Sequence, residues 1–281
     1  MEKSGDAARQ DGMVVGSEQH KALFCGLLLD TFDPYRPQVI AWPVLAPEAR
    51  TRLVALPFWE VALETEESAA TRMQALADAT SDPLIRAALA LNAFEERRHK
   101  EVLGHMIRFY GVELAGETRA LPPLRPRWAF LRTGYGECFD SFFAFGLFAL
   151  ARRSGFFPPE LVEVFEPVVQ EEARHNLFFV NWVAYQRARH AWPRRIGFAA
   201  ECLAALAVQI VKRLGAAKAA DGDNFTRKGG EALGLDLDVR DFLALCVAEN
   251  ERRLSLYDAR LLRPRAMPAA AGLALRFLRR R

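Results

Sequence analysis

Two stretches of the sequence put a carboxylate and an imidazole one helical turn apart. Residues 82–99 read DPLIRAALALNAFEERRH and residues 158–175 read PPELVEVFEPVVQEEARH. They align without a gap, and both end on Glu-Glu-x-Arg-His. Glu96 and His99 therefore correspond to Glu172 and His175, 76 residues on. At i, i+3 spacing the two side chains share one face of a helix. Two such pairs, completed by an inward carboxylate from each of two further helices, would make a dinuclear metal site. The carboxylates bridge two cations and cancel their charge, and each imidazole takes one metal. Oxygen donors with imidazole suit iron or manganese. The alternative is a solvated polar face. Phe94, Val102 and Met106 in the first copy, and Val168, Phe178 and Phe179 in the second, interleave with the motif and favour an inward one.

The remaining ligands are less constrained. Glu137 lies 35 residues before Glu172, a fitting length for a helix, a turn and half of another. It also reads as an acid placed at a helix N-terminus by the dipole. Asp140, three residues on, is either a hydrogen-bond partner for a ligating histidine or an alternative ligand. In the first helix Glu60, Glu64 and Glu67 recur at i, i+4 and i+7, with Glu66 beside the stripe. Glu64 is the expected ligand. The chain from Glu64 to the turn at 80–82 is about as long as the chain from there to Glu96, so both reach one level of a hairpin. Glu67 is nearly as good, and Glu60 sits about one turn too high. The expected metal set is Glu64, Glu96, His99, Glu137, Glu172 and His175, holding two iron ions, with manganese as the alternative. His20, His105 and His190 read as surface or internally satisfied residues.

Four helices must carry these groups. Residues 48–78 hold no glycine and one proline, Pro57, and read as a helix or two with a break there. "TSDP" at 80–83 stops and restarts the chain, with Ser81 or Asp82 as cap and Pro83 in the first turn. The next helix runs to about Tyr110, ended by Gly111. Prolines 122, 123 and 126 mark a long connection. A third helix is expected from near Gly136 to Arg153, with a phenylalanine-rich face at 139, 142, 143, 145 and 148 that is either core or the wall of a substrate cavity. A fourth runs from about Pro159 to Ala191, bent or interrupted near Pro167. Helices follow at 196–217 and about 237–261, with a turn at "DGDN", 221–224. No segment alternates like a strand, so the chain reads as all-α. Residues 1–47 read as a tail and irregular segment, 48–191 as the bundle, 192–265 as helices added to it, and 266–281 as a basic tail.

The paired Glu-x-x-His motifs resemble those of ferritin-like di-iron and di-manganese carboxylate proteins, across roughly residues 50–190. The resemblance implies a four-helix bundle built from two helical hairpins. It also implies one of three activities: iron storage, radical generation, or O2-dependent oxidation of a substrate. Storage ferritins carry one Glu-x-x-His per chain. Radical-generating subunits carry a tyrosine about one turn past the first histidine, where this chain has Leu103, and Phe179 in the second copy. The resemblance is then to an oxidase, oxygenase or peroxidase. "EEARHNLFF" is also similar, locally, to a metal motif of hydroxylases and cyclases that act on tRNA or pyrrole rings. No flavin or nicotinamide fingerprint is visible, so electrons are expected from a separate donor or from peroxide.

Composition sets the outer limits. The 281 residues are 51% hydrophobic and 26% charged, which excludes a disordered or fibrous chain. The net charge of 38 − 35 = +3 makes no case for nucleic acid. Four scattered cysteines without a CxxC pair exclude a zinc ribbon or thioredoxin-like motif and fit a reduced, cytoplasmic setting. Met1–Gln19 is polar and unlike a signal peptide. The most apolar stretch, 196–211, falls short of the ~20 residues of a membrane span and reads as a packed helix. From Arg252 to Arg281 there are nine arginines and one acid, Asp258. That basic, amphipathic end carries the second reading: a non-catalytic metal-binding bundle docked to a membrane surface or acidic partner. A homodimer is also open.

Overall fold

Cap chemistry sets the helix starts. The computed structural model describes residues 9–10, 13–114, 116, 119–218 and 238–278. Ser17 accepts the His20 backbone N–H and opens α1 (Glu18–Leu29). The chain from 48 to 78 does break near Pro57, into α2 (Pro47–Val54) and α3 (Trp59–Asp78). Asp82 accepts from the N–H groups of Leu84 and Ile85, Pro83 fills the first turn, and α4 (Pro83–Tyr110) ends where Gly111 turns left-handed at φ 70°. The fourth expected helix is two: α6 (Pro159–Val164) and α7 (Glu166–Arg189), parted at Phe165 just before Pro167. α8 (Arg194–Lys218), α9 (Val239–Leu254) and α10 (Ala266–Phe277) follow. Among the described residues the only strands are a two-residue ladder, Arg9–Gln10 with Met13–Val14. The expected turn at 221–224 lies outside the described residues.

α5 (Pro126–Ser154) begins ten residues before the expected start at Gly136. Its glycines serve close packing and do not mark a helix end. A Cβ on Gly134 would sit 2.1 Å from the Phe179 ring, and one on Gly146 would sit 2.3 Å from Cys246 Sγ. Both therefore let a neighbouring helix approach.

The helices are arranged around one interior. α3 and α4 form a hairpin over a four-residue turn. α5 packs on α3 and α7, and α7 reaches back to α4, so α3, α4, α7 and α5 close a ring. The long connection crosses from α4 to α5 over residues 111–125. Two expected boundaries shift. α1, within the segment 1–47 expected as tail and irregular chain, lies on α4 and α7 and buries Phe24, Cys25 and Leu28 in the main core. Residues 266–277, expected as part of a basic tail, form α10, which packs on α9 and α5.

Candidate metal centre

The two Glu-Glu-x-Arg-His motifs meet inside the ring. His99 on α4 and His175 on α7 are fully buried, with ring centroids 5.7 Å apart. Each inner glutamate reaches both imidazoles. Glu96 places Oε1 2.9 Å from His175 Nδ1 and Oε2 4.0 Å from His99 Nδ1. Glu172 places Oε1 3.2 Å from His99 Nδ1 and Oε2 4.0 Å from His175 Nδ1. Glu66, Glu96, His99 and Glu172 each offer a ligand atom, and these atoms lie within 4.8 Å of one another, close enough to hold a metal ion.

The structure brings Glu66, and not the expected Glu64, to the cluster. Glu66 is the α3 carboxylate in the cluster, 3.5 Å from His99 Nδ1. Glu64 is exposed. With Glu60, Glu67, Arg97, Lys100 and Glu101 it lines a cleft of about 430 Å³ on the outer side of α3 and α4. There Glu67 pairs with Lys100 at 3.2 Å. Glu96, His99, Glu172 and His175 converge as their spacing implies. Glu137 has both carboxylate oxygens buried and without hydrogen bonds. Asp140 is not at the centre, because Arg213 of α8 holds it at 2.5 Å on the surface. His20 is satisfied internally: Nδ1 accepts from Gly16 N–H, and Nε2 lies 2.9 Å from Asn181 Oδ1. Phe142 and Phe145, candidates for a cavity wall, are both buried in packing. Phe142 sits in a cluster with Cys246 and Ala271, and the Arg253 guanidinium covers the Phe145 ring.

The outer half of each motif braces the opposite motif. His99 Nε2 lies 2.8 Å from Glu171 Oε2, and His175 Nε2 lies 2.8 Å from Glu95 Oε2. Arg98 donates to Glu171 at 2.5 Å, and Arg174 donates to Glu95 at 2.6 Å. The Arg174 guanidinium also donates to the Thr31 carbonyl at 2.6 Å, while that of Arg98 stacks 3.9 Å over the Tyr35 ring. The irregular segment after α1 thus seals this side. A buried carboxylate facing Nε2 takes the Nε2–H and leaves the lone pair on Nδ1, turned inward. Glu95, Glu171, Arg98 and Arg174 did not stand out as a set from ligand spacing alone. The signal was available, since both residue types recur in both copies of the repeat.

The charge balance explains what the interior lacks. Neither Nδ1 has an aligned hydrogen-bond partner, nor does Glu96 Oε1 or either oxygen of Glu137. Unmade bonds on buried polar atoms are costly, and the two Nδ1 atoms and Glu96 lie within one cluster. Burial drives the Glu137 carboxyl well above its usual range, and the charges of Glu96 and Glu172 add to this. Burial likewise pushes Glu66 up to about 8, against the pull of His99. For His99, burial favours the neutral ring, but the carboxylates of Glu171, Glu172 and Glu66 around it outweigh this and raise the imidazole well above its ordinary value. Cations in this space would replace the protons that these groups otherwise share.

No match among known proteins accompanies this geometry: no family model, no curated protein and no solved structure matches the chain.

Proposed function

We propose that the cluster is a dinuclear iron site of the ferritin-like kind, and that the protein uses it to reduce dioxygen or peroxide while oxidising a substrate. One observation carries this reading. Glu96 and Glu172 each direct one oxygen to each inward Nδ1, the arrangement of two bridging carboxylates between two histidine ligands. Glu66 is then the terminal donor beside His99. Glu137, with Glu96, Glu172, His175 and Glu66 as its charged neighbours, would supply the fourth carboxylate. Four carboxylates neutralise two divalent ions, and the hard-oxygen and imidazole set fits iron, with manganese as the alternative. The ring of α3, α4, α7 and α5, with its long crossover, supports the ferritin-like assignment.

Bound iron would supply the redox chemistry of oxygen reduction. The chain's own residues supply the geometry. Glu171 and Glu95 hold the imidazoles with Nδ1 inward. Arg98 and Arg174 balance those outer charges, and the buried setting keeps bulk water away. With dioxygen, electrons beyond those the substrate gives up would come from a separate donor; peroxide is already two electrons reduced and would need none.

Loading with ferrous iron without oxygen, followed by metal analysis and an oxygen electrode, tests the reading. Two equivalents per chain and oxygen uptake on mixing are expected. The double variant His99→Ala, His175→Ala should lose both. Two equivalents retained in that variant would sink the ligand assignment. Two metals with no oxygen uptake would favour the non-catalytic binder.

A further inference from the structure

The middle of α8 turns its polar side chains toward the protein and its aliphatic ones toward solvent. Glu201 pairs with Arg127 at 2.7 Å, Gln209 donates to the Arg132 carbonyl at 2.7 Å, and Arg213 pairs with Asp140. Phe198, Cys202 and Ala205 are buried beneath it. Leu203 and Val211 are 66% and 68% exposed, and Ile196, Ile210 and Leu214 are exposed beside them. From Ile196 to Val211 every exposed residue of the helix is apolar. A helix facing water shows the opposite arrangement. The stripe is about 22 Å long at ~1.5 Å per residue. The expectation that this stretch is simply packed holds for one face only. No helix among the described residues is long and apolar enough to cross a membrane.

Both ends of the stripe are cationic. Arg194 and Arg195 precede it and Lys212 follows it. At its start lies a cleft of about 750 Å³ bordered by Arg125, Arg127, Arg194, His190 and Trp128. Burial, with the charges of Arg127 and Arg194, holds His190 below its usual value. Trp192, 74% exposed, stands next to it. An aliphatic stripe with arginines and an exposed tryptophan at its edge matches the lipid–water boundary. It does not match a second copy of itself. Two-fold pairing along α8 sets Arg194 and Arg195 against Lys212, or against their own counterparts, and like charges across an interface oppose association.

We propose that α8 is a membrane-surface helix, lying flat with its Ile/Leu/Val stripe in the outer layer of a bilayer rich in anionic phospholipid and the flanking arginines on headgroup phosphates. The surface is separate from the metal centre, so its test does not depend on iron. The full chain should co-sediment with phosphatidylglycerol-containing vesicles and not with phosphatidylcholine alone. The double variant Leu203→Glu, Val211→Glu changes only exposed positions. It should keep the wild-type circular dichroism and melting temperature yet lose binding by at least about tenfold. Arg194→Glu with Arg195→Glu is a second variant that should weaken binding through charge alone. Equal binding by wild type and both variants overturns the proposal. So does failure of the full chain to bind, whether a second copy or residues 219–237 cover the stripe. A wild-type dimer that Leu203→Glu splits, with vesicle binding unchanged, overturns it as well.

Discussion

Glu66 and Glu64 differ by two positions and about 200° around α3, so only one of them can face the imidazoles. The stripe of Glu60, Glu64 and Glu67 looked ligand-like because its spacing was regular, but regular acidic spacing is also what a water-facing helix shows. The stronger signal was an acid out of place. The buried residues of α3 include Ala69, Ala70, Met73, Leu76 and Ala77. Glu66 lies three, four and seven positions before the first three of these, on the same apolar face. A carboxylate on a buried face needs a counter-charge, and Glu66 has the His99 imidazole 3.5 Å away. Equal hairpin arms favour it over Glu64 as well: fourteen residues run from Glu66 to Thr80 and fourteen from Asp82 to Glu96. Glu66→Gln keeps the shape and removes the charge. It should lower the metal count from two toward one and slow oxygen uptake, while Glu64→Gln leaves both unchanged. Metal analysis and oxygen uptake on the two variants check this; the reverse pattern would restore Glu64. His99, His175, Glu96 and Glu172 were legible because the repeat carried them twice. Tyr35 and the Thr31 carbonyl were not, because their roles depend on where an irregular segment docks.

Helix boundaries were legible where a residue acts on its own backbone. Asp82 and Pro83 start α4, Gly111 ends it, and Pro167 parts α6 from α7. They were misread where a residue serves a neighbour, as at Gly134. Its Cβ position is occupied by Phe179 ring carbons at 2.1 to 2.5 Å, and those rings cannot retreat from a full core. Gly134→Ala should push α5 from α7, cost about 1–3 kcal/mol as overpacking does, and lower the melting temperature. Because Glu137 lies less than a turn on, the second metal should weaken too. Wild-type stability would show that the contact relaxes freely. Asp82 gives the cap a pH dependence. Lys21 Nζ lies 2.6 Å from its Oδ2. Burial alone would raise the carboxyl, but Lys21 and the N–H groups of Leu84 and Ile85 bring it below its usual value. A lowered folded pKa means the stabilisation is present above about pH 4 and is lost as pH falls through the folded value. Asp82→Asn keeps a capping oxygen without the charge. It should be less stable than wild type at neutral pH, and the gap between the two urea midpoints should close below about pH 4. A gap that persists there would assign the effect to shape.

At the scale of the whole molecule, helices outside residues 48–191 pack closely on the ring. α1 lies across α4 and α7, and α9 and α10 lie against α5, so much of the ring's outer surface is covered. Polar groups tie these layers as well. Arg253 of α9, fully buried, reaches Glu166 of α7 at 3.0 Å. Composition and periodicity marked the segments but could not show this, because the joining residues are single and far apart in the chain. Asn181 on α7 is the sharpest case. Its Oδ1 faces His20 Nε2 of α1 at 2.9 Å and accepts the Leu262 N–H at 2.9 Å, while its Nδ2 donates to the Leu262 carbonyl at 2.9 Å. One buried amide therefore holds the first helix and the segment before the last one. Asn181→Leu has nearly the same volume but leaves the His20 ring and both Leu262 backbone groups without partners. Each such group costs about 1–3 kcal/mol when buried, so a loss of roughly 3 kcal/mol or more in urea unfolding is expected. The loss should fall on the whole molecule: one transition shifted to lower urea, with tryptophan fluorescence and circular dichroism still coincident. Two separated transitions, the first without loss of the metal site, would show instead that α1 and the C-terminal segment peel away from a bundle that stands alone.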